Sequence, residues 1–317
     1  MRLIADFDQT DPYFNLAAEE YLLLNTNDNV CRFWKNEPTV VIGKHQVLAA
    51  EINTKVAFEK EVKMARRISG GGTVYHDLGN INFTFIQKNI GGNKIDFKQF
   101  TQPIVDALAM LGLKVNHSGR NDLMLEGFKI SGNAAHLSQK LNKTLHHGTL
   151  LFNSNLDNLG AILKTEIAQF GGKFVQSNRS KVCNIVDYLK NITIEDFQAH
   201  LCNTFIDNGY SPANFTAAEK EQIIKLSNQK YRGIDWIAGY SPKYCVHGSF
   251  NQIPLMINVI GGKITEINMP HPLENELRSK LVNHYHTYEI LSREIKNLEI
   301  DSQDCKKLIK SFFGSLV

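Results

Sequence analysis

Residues 66–80 read Arg66-Arg67-Ile68-Ser69-Gly70-Gly71-Gly72-Thr73-Val74-Tyr75-His76-Asp77-Leu78-Gly79-Asn80. Three consecutive glycines add no side-chain packing and maximal backbone freedom, so this stretch is a loop in any fold the chain adopts. Its flanks decide what kind of loop. Strands are predicted on both sides, and this excludes a dinucleotide fingerprint, which needs a strand before the glycines and a helix after them. A P-loop is excluded too, because no Gly-Lys-Ser/Thr follows. Bare backbone N–H groups can approach an anion closely. Arg66 and Arg67 can add charge-assisted hydrogen bonds to phosphate or carboxylate. The bland alternative is a glycine turn with solvated arginines. Arg-Arg before the run and His76-Asp77-Leu78-Gly79-Asn80 after it favour a ligand loop.

Around this loop the pattern is that of an α+β protein. Asp11 caps a helix that starts at Pro12, with Phe14, Ala17, Ala18, Tyr21 and Leu22 on its apolar face. Short strands are predicted at 30–34, 39–42, 113–115, 123–125, 129–131 and 149–152. In another, Ile81, Phe83 and Phe85 alternate with Asn82 and Thr84. Helices are predicted over 101–111 and from Thr193, and Thr216 with Glu219 forms a capping box. The strands come at irregular spacing without βαβ alternation, so a mixed, largely antiparallel sheet is expected. Gly239-Tyr240-Ser241-Pro242 reads as a linker. Beyond it come a hairpin over 255–267 turning at Gly261-Gly262, and helices at 273–281, 287–295 and 302–313. With 317 residues, two units are expected: a catalytic domain over 1–243 and a small α+β accessory domain over 244–317.

Composition narrows the partners. Lys plus Arg is 35 against 32 Asp plus Glu, a net +3, which argues against a nucleic-acid coat but leaves room for a local basic pocket. No apolar run approaches the ~20 residues of a membrane span. The five cysteines contain no C-x-x-C pair, so a disulfide framework or zinc ribbon is not expected, and a reduced, cytoplasmic protein is. The first eight residues carry acids where a signal peptide needs an apolar run.

Three further segments stand out. Ser118-Gly119-Arg120-Asn121-Asp122-Leu123 precedes Lys129-Ile130-Ser131-Gly132, where a strand lysine beside small residues can project into a cavity; alone, such a lysine is usually a surface residue. His146 and His147 are adjacent on a strand, so they point to opposite faces and cannot readily share a metal; one buried, hydrogen-bonded histidine is the preferred reading. Ser177-Asn178-Arg179-Ser180-Lys181-Val182 is a polar basic loop, solvated unless something docks on it.

In this order, with Asn15-Leu16-Ala17, Glu19-Glu20, Val40-Val41-Ile42-Gly43, Ile81-Asn82-Phe83-Thr84-Phe85 and His147-Gly148-Thr149-Leu150-Leu151, these segments closely resemble the lipoate–protein ligase A family of the biotin/lipoate ligase and transferase superfamily. The resemblance covers roughly residues 1–240 in motif detail. It implies an enzyme that activates lipoate with ATP to lipoyl-adenylate, releases pyrophosphate, and transfers the lipoyl group to a lysine of an acceptor. It implies ATP with Mg²⁺ as co-substrate, no tightly bound cofactor and no protein metal site. The implied acceptors are lipoyl domains of 2-oxoacid dehydrogenase acyltransferase subunits and the glycine cleavage H protein. Lys129 matches the family's essential lysine, set between the lipoate carboxylate and the α-phosphate, two anions that repel unless positive charge lies between them.

By the same resemblance Arg67, Gly72, Thr73, Val74, Tyr75, Lys129 and Ser180 would bind ATP or the adenylate. Arg67, Gly71, Gly72, His76 and Lys129 would bind lipoate, with Asn80, Asn121 and Asp122 as polar neighbours. The 177–182 loop would order over the adenylate, and the tail would act as a lid. Two other readings stay open at this stage. One is an ATP-independent octanoyl- or lipoyl-transferase using a cysteine, with Cys183 the best placed. The other is a non-catalytic lipoate-binding module, against which an intact Lys129 argues.

Overall fold

A computed structural model describes residues 1–88, 95–119, 121–163, 169–178 and 180–313. The fold is α+β with mixed, largely antiparallel sheets. The main sheet runs Asn133–Ser138, Lys143–Leu151, Asn80–Lys88, Val30–Trp34, Arg2–Asp6, Ser211–Ala213. Its first four strands are antiparallel neighbours, and the last two pairings are parallel.

The Asn80–Lys88 strand explains the layering. Its odd residues Ile81, Phe83 and Phe85 join Phe33, Ile104, Leu108, Phe197, Leu201 and Phe205 in one apolar cluster under the helices Phe97–Met110 and Ile194–Asp207. The alternate residues Asn80, Asn82 and Thr84 are buried as well. This sheet therefore has two buried faces, one apolar and one polar, and the polar face roofs the site described below.

Two small sheets complete the part before Pro242. Thr39–Ile42 pairs in parallel with Lys63–Arg66 and antiparallel with Val74–His76, so the triple-glycine loop does lie between two strands. Val115–Ser118, Asp122–Leu125 and Phe128–Ser131 form an antiparallel three-stranded sheet. Several elements are longer than their sequence pattern. The fourth helix-forming stretch starts at Phe97 rather than 101, because the Asp96 side chain accepts from the Lys98 and Gln99 N–H groups. The predicted 149–152 strand runs from Lys143, its polar half hidden from the pattern because Lys143 places its ammonium on the Leu23 and Thr26 carbonyls.

After Pro242 the chain forms Tyr244–Phe250, Ile253–Ile260 and Lys263–Asn268, then helices Glu274–Leu281, Tyr288–Lys296 and Ser302–Phe313. The hairpin and three helices are as expected; Tyr244–Phe250 is an additional strand, and it pairs with Phe170–Gly171. The tail's apolar core also takes in Val47, Ala49 and Ala50.

Arg66, at the start of the triple-glycine loop, ties the 43–46 segment to the segment just before this tail. The sequence allowed it to meet an anion; instead it is wholly buried. Its guanidinium donates to the carbonyls of Gly43, Lys44 and Gln46 on one side, and to those of Trp236 and Ile237 and to Ser241 Oγ on the other. The predicted linker is thus pinned at Ser241, its third residue. Among the described residues no helix is long and apolar enough to cross a membrane.

Candidate active site

Lys129 stands on the Phe128–Ser131 strand, whose next residue, Ile130, is fully buried in the apolar cluster. Strand alternation therefore turns Lys129 the other way, into a cleft. Its ammonium lies 2.9 Å from Asp122 Oδ1 on the neighbouring strand. A Cβ on Gly132 would come within 3.1 Å of Lys129 Cε and Nζ, so glycine there leaves the lysine its channel. The 177–182 segment docks beside it: Lys129 N–H donates to the Lys181 carbonyl at 2.8 Å.

Two cavities meet at this lysine. One, of about 280 Å³, is lined by Leu16, Trp34, Val41, Arg67, His76 and Asn82 and by Asn121, Asp122 and Lys129. The second, of about 310 Å³, is lined by Tyr75, Leu151, Leu159, Leu163, Ser180 and Val182. Thr73, Val74, Lys129, Gly132, Thr149, Ser177 and Asn178 border both.

Of the residues singled out by sequence, Arg67, Gly71, Gly72, His76, Asn121 and Asp122 border the first cavity, and Tyr75 and Ser180 the second. Asn80 is not on either wall; its amide donates to Asn82 Oδ1 at 2.9 Å and so orients a residue that is. Arg120 and Arg179 lie outside the described residues. Arg67 lines the first cavity, but most of its donors shape the loop. They go to the carbonyls of Val41, Gly70 and Gly72 and to Ser69 Oγ. Gly71 between those carbonyls has φ +85°, a conformation that costs a side-chain residue. Burial pushes the Arg67 guanidinium down to about 10.

Sequence reasoning missed the network behind the loop. His147 Nε2 sits 2.6 Å from Ser69 Oγ and its Nδ1 2.9 Å from Glu19 Oε1, and Glu19 in turn accepts from Thr84 Oγ1. Both histidines of the pair are buried: His146 stacks on Phe100 at 5.0 Å and bonds Asn133 Oδ1, and burial holds it far below its usual range. Also missed is a latch. Ser177 Oγ accepts from Thr73 N–H at 2.8 Å and from Gln46 Nε2 at 3.0 Å, and donates to Glu51. The signal for the first network was present in Asn80, Asn82 and Thr84: polar alternates without a single charge are unusual for a solvated strand face.

The catalytic-domain model of lipoyl protein ligase A/B matches residues 11–206. A lipoate–protein ligase of Bacillus subtilis, LplJ, is 39% identical over 277 residues, covering 84% of this chain and 83% of its own. The chain belongs to the lipoate–protein ligase family. Lipoate–protein ligase 1 of Staphylococcus aureus is 40% identical over 248 residues, covering 77% of this chain and 75% of its own. Among solved structures, P. falciparum LipL1 in complex with lipoate superposes on this ligase chain with TM-score 0.65 at 25% identity, covering 98% of both chains. A putative lipoate protein ligase of T. acidophilum with bound lipoic acid gives 0.64 at 25% identity, covering 75% of this chain and 99% of its own.

Proposed function

We propose that this chain is an ATP-dependent lipoate–protein ligase that joins lipoate to AMP and then to an acceptor lysine. The observation that carries the reading is the meeting of two cavities at one ammonium, Lys129. Lipoate lies in the cavity walled by Leu16, Trp34, Val41 and His76. The nucleotide, brought as MgATP, lies in the cavity walled by Tyr75, Leu151, Leu159 and Val182, with its α-phosphate toward Gly72–Thr73 and Lys129. A carboxylate oxygen attacks the α-phosphorus, the bond to pyrophosphate breaks, and pyrophosphate leaves with the electron pair. Lys129 reduces the repulsion between the two anions and holds them in line. The acceptor's neutral lysine nitrogen then attacks the acyl carbonyl, AMP leaves with the electron pair of the acyl–oxygen bond, the nitrogen gives up a proton to water, and an amide remains. Acceptors are lipoyl domains, including those of 2-oxoacid dehydrogenase acyltransferase subunits, and the glycine cleavage H protein. Five free cysteines suit a cytoplasmic, reducing setting.

The cysteine-transferase reading finds little support at Cys183. Its thiol is raised above the usual range by burial rather than lowered, and the residue packs against the apolar cluster.

Residues 1–243 form the catalytic unit in this reading and 244–317 a lid. The tail packs on the Leu48–Glu51 helix, whose last residue receives the Ser177 latch, so tail and adenylate loop share a support. A chain cut after Pro242 should transfer from pre-made lipoyl-adenylate yet adenylate poorly.

Lipoate-dependent exchange of labelled pyrophosphate into ATP tests the reaction. A ligase performs it. A cysteine transferase does not, and a lipoate-binding module binds the acid without exchange.

A further inference from the structure

Two residues that line the lipoate cavity each carry a buried side-chain nitrogen with no partner among the described residues, His76 Nε2 and Asn82 Nδ2. Neighbouring polar side chains are occupied: Trp34 Nε1–H donates to Thr84 Oγ1, and both His147 nitrogens have partners.

The proton on His76 Nε2 is fixed by a chain of donors that starts at an arginine. Arg32 is wholly buried and has no acceptor atom, so its bond to Asn15 must end on the Asn15 oxygen. That leaves Asn15 Nδ2 to donate to Asn36 Oδ1 at 3.0 Å. Asn36 must then present its Nδ2 to His76 Nδ1, also at 3.0 Å. His76 Nδ1 is therefore the acceptor and Nε2 the donor. The ring is neutral, since burial and the nearby Arg67 push it down to about 3.

Position along the cavity follows from strand register. Thr149, which borders both cavities, pairs with Asn82, and Asn82 pairs with Trp34 on the next strand. Two strand spacings put Trp34 about 10 Å from Thr149. His76 packs edge-on against Trp34, with ring centroids 5.9 Å apart. With the carboxylate at Lys129, an extended acyl chain of lipoate's size passes Asn82, one strand spacing from Thr149, and brings its distal end to His76 and Trp34. In lipoate that end is a cyclic disulfide, whose sulfurs are weak acceptors. In octanoate it is a hydrocarbon tail with no acceptor.

We propose that His76 Nε2–H and Asn82 Nδ2–H are specificity determinants that donate to the dithiolane sulfurs and make the ligase prefer lipoate to a plain fatty acid of the same length. The proposal rests on the ligase reading and adds to it a choice of substrate. An octanoyl tail leaves both donors buried and unpaired, which disfavours it by on the order of tenfold per donor.

The test measures kcat/KM for lipoate and for octanoate in the pyrophosphate-exchange assay, on wild type, His76→Phe, His76→Gln and Asn82→Leu. Glutamine can place an amide N–H near the position of Nε2. Wild type should prefer lipoate. His76→Phe and Asn82→Leu should each lower the lipoate-to-octanoate ratio by about tenfold, and His76→Gln should retain most of it. A wild type indifferent to the sulfurs, or variants in which both acids fall in proportion, would overturn the proposal. If one variant fails to fold, the ratio in the other decides. Absence of exchange with either acid in the wild type would instead remove the ligase reading.

Discussion

Gly132 and Lys129 are packed so closely that a single methyl group on the glycine would sit 3.1 Å from the lysine's Cε and Nζ. The atoms that must yield are the end of a flexible side chain, not backbone. Gly132→Ala should therefore leave the fold intact and displace the ammonium. The lysine end must give by a few tenths of an ångström, whereas a full ~1 Å shift of a positioned group costs on the order of 10²-fold in rate. We expect a drop in adenylation well short of that limit with little change in Tm, measured by exchange and by thermal melting on one preparation.

Arg66 gives the opposite expectation, stability without chemistry. Its donors meet five carbonyls and the Ser241 hydroxyl, and among the described residues it has no carboxylate partner. Arg66→Met strands those acceptors in a buried site, a loss of roughly 3 kcal/mol or more. A fall in Tm of about 6–12 °C should follow, read by calorimetry.

What the sequence made legible divides along physical lines. The glycine loop, the capped helices at Asp11, Thr193 and Thr216 and the tail hairpin rest on local rules, and each lies where its residues place it; Lys129 by itself reads as a surface strand lysine, and only the family resemblance turned it toward a ligand. The strand Lys143–Leu151 and the role of Arg66 rest on long-range partners, Thr26 and Ile237, that no local pattern contains. The polar face of Asn80–Lys88 reads as ordinary alternation until helix Pro12–Asn25 brings Glu19 beneath it.

Glu51 predicts a pH dependence. Burial raises its carboxyl above the ordinary 4.5, against the opposing pull of its hydrogen bonds from Ser177 and Thr73. The folded state then holds this proton more tightly than the unfolded chain, so the site's contribution to stability is full below 4.5 and is lost as pH rises through the raised value. Relative to Glu51→Gln, the wild type should lose Tm as pH climbs from 4.5 toward neutrality. Parallel Tm–pH curves for the two proteins would contradict this assignment.

Cys183→Ser should keep most ligase activity. The adenylate route needs no thioester, and the thiol is held protonated by burial. Mass spectrometry of the wild type after incubation with lipoate and MgATP should show no acyl group on Cys183, whereas an acyl-cysteine there would revive the transferase route.

The account stands on the charge of Lys129 at the junction of two cavities. Lipoate-dependent pyrophosphate exchange of Lys129→Ala beside wild type, with circular dichroism to verify the fold, tests it most directly. Removing a preorganised charge from the reacting centre should lower exchange by on the order of 10²-fold or more while the protein stays folded. Exchange at near wild-type rate in a folded Lys129→Ala protein would place the chemistry elsewhere and contradict the account.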